Sequence, residues 1–521
     1  MVVHLFKRSA ISLLAAAAMK RRKNRSSNLL CRFQHQFRAA AAAMKRCKKL
    51  IELPDCVMSH IFSILSLKDL VKTSALSKQW IHEWGLRTDL NFDLHNMFDY
   101  NTIQDLPQKT LLLFPIIQRL HFQSEFATRL DQFMLHYQGP AIRSIRIDFP
   151  LGDDHTDVID RLISKGIAKG VKRIELLFSF ETEEVNEFKL IFPLLPYKFS
   201  FALLSDTDSL TYLHLRNCFL AESADFSGLK NLTTIVVEGL VETYSTHILS
   251  LLFSECLQIE AATFKNCKIM WPMKITGPKL RHLNIINCFH WSHSPNRIVI
   301  DALNLSSFEY SCNRTRKISV MAPRLLKVFW NAVVREQDRL PFSTIAKLTH
   351  IENLAMIISP SQIEKLTKKL VRFQKLRQLE LFIEGAYDLL DNMDLFWILD
   401  IAMASQHLHK FSLTSRNLHH EHSHMVGFKR QKREYAGFTH NNLEYVKFCG
   451  CVCSTNVIEL ASHLLRNASS LKKMTLSSCD KFYIGAGEWT NNSDSCCGFE
   501  HNVIHEMLKD EVNEQCQLII L

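Results

Sequence analysis

Residues Ser209–Leu220 read SLTYLHLRNCFL, with leucines at 210, 213 and 215, a cysteine at 218 and a further leucine at 220. Leu213 and Leu215 alternate as they would on a strand with one buried face, which leaves His214 pointing the other way. Cys218 falls where the chain has to turn back. A turn inside a packed structure takes a small side chain that can satisfy buried backbone groups. A single stretch of this kind carries little weight, so the question is whether it recurs.

It recurs along most of the chain. Leu280, Leu283 and Ile285 are followed by Cys288, Leu443, Val446 and Phe448 by Cys451, and Leu471, Met474 and Leu476 by Cys479. Looser copies begin near Ile117, Ile142, Val171, Leu232, Ile259, Leu305, Leu325, Ile351, Leu376 and Leu408. Successive starts are about 20 to 39 residues apart and centre near 27, the period of a leucine-rich repeat. The predicted fold is α/β: an irregular leucine-rich-repeat solenoid, or horseshoe, whose strands line an extended concave face. Such a face suits binding. The outward position of each strand supplies the candidate contacts, namely His121, Arg146, Glu175, His214, Asn284, Phe329, Glu380, Ser412, Lys447 and Thr475. Their mixed chemistry points to no single ligand.

Cysteine usage follows from the same template. Five of the fifteen cysteines (Cys218, Cys267, Cys288, Cys451 and Cys479) occupy the turn position, which predicts buried reduced thiols and an intracellular protein.

Ahead of the repeats, residues 53–84 read LPDCVMSHIFSILSLKDLVKTSALSKQWIHEW. Asp55 can cap a helix behind Pro54, and Val57, Ile61, Ile64 and Leu65 fall on one face of it. Leu67 to Leu76 continues as a second helix. Ser77 then suits the cap of a third, which carries Trp80, Ile81 and Trp84. Some 35 residues rarely fold alone without a metal or disulfide, so this apolar surface calls for a partner. The segment resembles a plant F-box, with the Leu53-Pro54 opening, the LP-xx-V-xxx-I-xxx-L-x-L-xx-LV order, and Ala75 to Trp80 followed by Trp84. The resemblance implies a three-helix module that docks a Skp-type adaptor and, through it, a cullin. Its implied contact set is Leu53, Pro54, Val57, Ile61, Leu65, Leu67, Leu76 and Trp80.

At the other end, Gly437 to Ser478 reads as strand, helix, strand, with Val457, Leu460, Ala461, Leu464 and Leu465 at helical spacing. This region is similar to the FBD region that closes many plant F-box proteins, and an α/β terminal cap is its expected role. The expected boundaries are a leader over 1–49, an F-box over 50–95, repeats over 105–430, FBD-like terminal repeats over 431–484, and a polar loop and tail over 485–521. The long segments Leu177 to Ser209 and Thr414 to Asn442 are candidate recognition loops.

The formal charge of +11 is concentrated at the start. Residues 1–50 hold thirteen Lys and Arg and no acid, whereas the rest of the chain carries 50 bases against 52 acids. No basic nucleic-acid face is implied for the folded body, and no segment has the apolar length to span a membrane. The leader repeats AAAAMKRRK at Ala15 to Lys23 as AAAAMKRCK at Ala40 to Lys48. It reads as a low-complexity disordered tail, as a nuclear localisation signal, or as an organelle transit peptide. The expected compartment is the nucleus or cytoplasm, with the transit peptide left open.

Signatures of chemistry are few. The sequence contains no G-x-x-x-x-G-K-[ST], G-x-G-x-x-G or G-x-S-x-G, and its one H-E-x-x-H match, His420-Glu421-x-x-His424, falls inside a histidine-rich run. His419 to His424 and Cys449-x-Cys451-x-Cys453 contain metal-ligand types, yet neither has a second pair at zinc spacing. No cofactor and no metal are expected. The resulting expectation is a non-catalytic adaptor that brings a target protein to a ubiquitin ligase. The alternative is a repeat scaffold or ligand sensor that acts without ubiquitination.

Overall fold

The computed structural model describes residues 60–62, 64–73, 87–98, 116–178, 195–222, 225–240, 246–268, 273–288, 297–311, 317–331, 342–345, 347–370, 373–385, 394–417, 435, 437–450, 452, 454–485, 488–492 and 501–521. These residues form two compact units that divide at Asn231 and Leu232.

The first unit contains helix α1 (Leu67–Thr73), strand β1 (Asp89–Asp93), helix α2 (Ile116–His136), β2 (Ser144–Asp148), α3 (Thr156–Ala168), β3 (Arg173–Leu177) and β4 (Tyr212–Arg216). These four strands pair in parallel in chain order. Isoleucine and leucine at 145, 147, 174, 176, 213 and 215 are fully or almost fully buried, as the alternating pattern requires. Each such side chain is worth roughly 1.5–3 kcal/mol of burial, so the inward rows contribute a substantial share of the driving force.

Helix α1 lies in the F-box-like segment and is packed into this unit. Ser66 accepts a hydrogen bond from the Asp69 amide at 3.2 Å and so caps the helix. Leu67 and Leu70 are buried, and Arg87 donates to the Leu65 carbonyl at 2.6 Å.

The repeat expected near Ile117 is instead α2, which places His121 on a helix. Gln123, Phe126, Ala127, Leu130, Phe133, Met134 and Tyr137 are all buried there. That three-and-four spacing is a helical stripe, and it overrides the short local match to the strand pattern. The ladder also begins earlier than expected, at Asp89, inside the span assigned to the F-box.

The second unit contains β5 (Thr234–Glu238), α4 (Thr246–Glu255), β6 (Ala261–Lys265), β7 (His282–Ile286), β8 (Ser307–Ser311), β9 (Lys327–Asn331), β10 (Asn353–Ile358), α5 (Ile363–Leu370), β11 (Gln378–Gly385), α6 (Trp397–Ala404), β12 (Lys410–Asn417), β13 (Tyr445–Gly450), α7 (Thr455–Asn467), β14 (Lys473–Ser477), a hairpin of β15 (Asp480–Gly485) and β16 (Glu488–Asn492), α8 (His501–Leu508) and β17 (Gln517–Ile520). Strands β5 to β14 and then β17 form one parallel ladder in chain order. The repeats return by one of two routes. Longer repeats return through a helix, such as α4, α6 or α7. The short ones between β6 and β9 return through an outer three-stranded parallel ladder of Met273–Thr276, Arg297–Asp301 and Lys317–Met321.

The turn after each strand explains the cysteines. Asn217, Asn266 and Asn287 have φ of 55°, 53° and 50°, and Gly239 and Gly450 have φ of 61° and 79° at the equivalent place. The left-handed conformation is one that Asn and Gly tolerate best. It lets the amide of Gly239 donate to the Lys265 carbonyl at 2.8 Å and that of Asn266 to the Ile286 carbonyl at 2.9 Å, extending the ladder by one bond. The cysteine that follows each Asn then points inward. Cys267 Sγ donates to the carbonyls of Val237 and Lys265, both at 3.3 Å, and Cys288 Sγ to those of Phe264 and Ile286, both at 3.4 Å. Burial pushes the Cys218 thiol well above its ordinary range, which makes it unreactive.

Cys479 departs from the expectation and is exposed, while Cys451 lies outside the described residues. Alkylation of the native protein followed by peptide mapping is expected to modify Cys479 and to spare Cys218, Cys267 and Cys288 until denaturant is added.

Residues 485–521, read from the sequence as a loop and tail, contain β16, α8 and β17. Strand β17 pairs with β14, and Arg466 on α7 forms an ion pair with Glu511 at 2.7 Å, so the tail supplies one more helix and strand to the ladder.

Candidate interaction surface

Parallel pairing in register turns the outward positions into a row. In the first unit Arg146, Glu175 and His214 are direct neighbours across β2, β3 and β4. Charges there satisfy one another. Arg146 pairs with Asp148 at 2.6 Å and with Glu175 at 3.5 Å, Arg173 also pairs with Glu175, and the Arg173 guanidinium sits 3.5 Å over the Tyr212 ring. At the edge, Asp89 accepts from Arg143 at 2.9 Å and from Ser144 at 2.7 Å. The Arg143 bond first, and Ser144 after it, hold the Asp89 carboxyl below its usual range against the opposing effect of partial burial.

In the second unit the row runs Asn284, Glu309, Phe329, Ala355, Glu380, Ser412, Lys447, Thr475 and Ile519. All six outward residues expected here (Asn284, Phe329, Glu380, Ser412, Lys447 and Thr475) fall on it. The sequence reading missed what lies over the row. Tyr483 of the β15–β16 hairpin stacks on Phe329 with ring centroids 3.8 Å apart, and Trp489 stacks on Phe382 at 4.3 Å. A groove of about 560 Å³ runs beside the hairpin, lined by Asn284, Glu309, Lys327, Phe329, Gln378 and Trp489 among others. The hairpin signal was present in the sequence. Phe482-Tyr483-Ile484 and Glu488-Trp489-Thr490 flank Gly485-Ala486-Gly487, two strand-prone runs around a short glycine turn.

Of the eight adaptor-contact candidates, three are described. Ile61 is half-buried, while Leu65 and Leu67 are buried within the chain at 5% and 1% exposure. Leu53, Pro54, Val57, Leu76 and Trp80 lie outside the described residues, as do His419 to His424, Cys453, residues 179–194 and residues 418–434 of the candidate recognition loops. Among the described residues no cluster of three or more His, Cys, Asp or Glu is placed to hold a metal ion. No described helix is long and apolar enough to cross a membrane.

Residues 135–513 match the family described as At1g61320/AtMIF1, LRR domain, and residues 50–82 match the F-box domain. The chain belongs to the F-box/LRR family. Its Arabidopsis thaliana relatives include the putative F-box/FBD/LRR-repeat protein At4g03220, 23% identical over 83% of this chain and 89% of that one. Another is the F-box/LRR-repeat protein At3g26922, 23% identical over 62% of this chain and 96% of its own length. F-box domains generally bind Skp1-type adaptors, and F-box/LRR proteins are typically non-catalytic substrate adaptors. The division fits this F-box/LRR protein, in which the repeats build a surface and the F-box-like segment brings excess apolar side chains.

Proposed function

We propose that this protein is the substrate-recognition subunit of a Skp–cullin–F-box ubiquitin ligase. The F-box docks the Skp-type adaptor and, through it, the cullin. The repeat face holds the target, and the chemistry belongs to other subunits, so this chain raises the rate by keeping an acceptor lysine at high effective concentration. The observation that carries this reading is the presence on one chain of an F-box match at 50–82 and a repeat-domain match at 135–513. Leu53, Pro54, Val57, Ile61, Leu76 and Trp80 meet the adaptor, while Leu65 and Leu67, already buried, shape the helices that present them. The nucleus and cytoplasm, where soluble ligase subunits meet, are the proposed compartments.

The test is a pulldown with purified Skp-type adaptor, using the intact chain beside a Leu53→Ala, Pro54→Ala, Trp80→Ala variant. Capture by the intact chain and at least about a hundredfold loss in the variant are expected, since contacts at an interface centre dominate affinity. No capture by the intact chain would overturn the ligase reading and leave a repeat scaffold.

A further inference from the structure

The β15–β16 hairpin sits on the repeat face without joining it. Its two strands pair antiparallel with each other, Tyr483 opposite Trp489, and form a two-stranded sheet separate from the parallel ladder. A lone two-stranded hairpin is marginal in water, so this one depends on what it touches. It touches through rings. Tyr483 lies on Phe329, Trp489 on Phe382, and the two hairpin rings pack on each other at 4.7 Å. Gly485, with φ of 112°, comes so close to β7 that an added Cβ would stand 2.9 Å from Ile286 Cδ1. Glycine is what allows that approach.

The fit under the hairpin is incomplete. Strand β15 lies beside β12, and on the outward side of β12 the hydroxyls of Ser412 and Thr414 are buried with no hydrogen-bond partner among the described residues. Tyr483 also closes a cavity of about 130 Å³ at the strand ends, lined by Asn287, Ser311, Asn331, Glu384 and Arg416. A buried hydroxyl without a partner favours any occupant that can bond to it. The groove and the cavity on either side leave room for a larger one.

We propose that the hairpin is a displaceable cis occupant of the repeat face. A target segment with aromatic side chains engages Phe329 and Phe382 by replacing Tyr483 and Trp489. This rests on the reading that the repeat face does the recognising, and it places that recognition between β7 and β12. Until it is displaced, the hairpin acts as a built-in competitor at the effective concentration of a short tether.

The test uses neither adaptor nor ligase, so its outcome is separate from that of the pulldown. Residues 480–492 are replaced by a Gly/Ser linker, and a fluorescent peptide spanning residues 478–494 is titrated onto the variant and onto the intact chain, with binding read by anisotropy. The peptide is expected to bind the variant at least about tenfold more tightly than the intact chain, where the tethered copy competes. A peptide carrying Tyr483→Ala and Trp489→Ala is expected to lose at least about tenfold. Equal binding to both chains, or no binding to a folded variant, overturns the proposal. Where the variant fails to fold, hydrogen exchange on the intact chain decides. Amides of 481–485 and 488–492 that exchange at least about a hundredfold faster than those of β11 and β12 support displacement, whereas protection equal to theirs overturns it.

Discussion

Replacing His440 by alanine is expected to destabilise the second unit by about 3–5 kcal/mol, because the ring accepts from two backbone amides and fills a buried site. His440 is fully buried. Its Nδ1 accepts from the amides of Asn442 at 3.2 Å and Leu443 at 3.0 Å, and its Nε2 donates to the Ser405 carbonyl at 3.2 Å. The ring therefore holds the start of one repeat, Leu443, against the end of the helix in the repeat before it. The Ser405 carbonyl keeps a second donor in Leu408 at 2.9 Å, so the cost of truncation falls on the two orphaned amides and the space left behind. His440→Asn, whose carbonyl can stand in for Nδ1, is expected to recover more of the loss than His440→Gln, which can reach only toward Ser405. Urea midpoints of the three variants give the order, and equal losses for Asn and Gln would assign the effect to packing alone.

The same ring sets a pH dependence. Burial, the main cause, holds its pKa below the ordinary histidine range, with neighbouring His409 acting the same way and the Ser405 carbonyl opposing. The unfolded chain takes up a proton near pH ~6.5 while the folded chain does not. The stabilisation is therefore complete above that pH and is lost as pH falls toward the folded-state value. Protonation also places a hydrogen on Nδ1, where two amides already donate. Stability measured from pH 7.5 to 5.5 should fall more steeply for the native chain than for His440→Asn. His155 in the first unit is shifted downward as well, chiefly by burial, so the difference between the two chains, rather than either slope, isolates His440.

How legible this was in the sequence varied with the range of the signal. The rows of inward leucines needed only a period of two inside each repeat and a spacing of about 27 between repeats, and both stand in the sequence. Outward residues followed automatically, since parallel pairing in register places Asn284, Phe329, Glu380 and Lys447 on one row. Local matching failed at Ile117, where a 21-residue helical stripe outweighed a six-residue strand pattern. The left-handed asparagines were readable in hindsight as Asn-Cys pairs at 217, 266 and 287. The stacking of Tyr483 on Phe329 joins residues 154 positions apart, and no short-range pattern encodes which strand a hairpin will cover. Contacts of Leu65 and Leu67 were hidden for a similar reason. A helical face shows which residues are buried but leaves open whether its own chain or a partner buries them.

Gly228→Ala is expected to cost the first unit about 3 kcal/mol or more, at the upper end of overpacking effects. An added Cβ at Gly228 would lie 1.8 Å from the Leu204 carbonyl oxygen and 2.7 Å from that of Ser205. Both are backbone atoms, so no rotamer change relieves the clash. One of the two turns has to move. The first is the short helical turn Phe201–Leu204, where Ser200 accepts from the Ala202 amide at 3.3 Å. The second runs from Phe226 to Leu229 and is closed by a 2.9 Å bond between those two residues. The turns share a ring contact, Phe201 on Phe226 at 4.9 Å, and separating them exposes both rings. Gly437→Ala is the matching control. Gly437 has φ of 84° with nothing among the described residues within 4 Å of an added Cβ, so alanine there brings conformational strain of about 1–2 kcal/mol and no clash with them. Hydrogen exchange should show protection lost at residues 197–204 and 225–229 in Gly228→Ala, with the amides of β2 and β3 retained. A Gly228→Ala chain no less stable than Gly437→Ala would mean that the two turns do not approach through bare backbone.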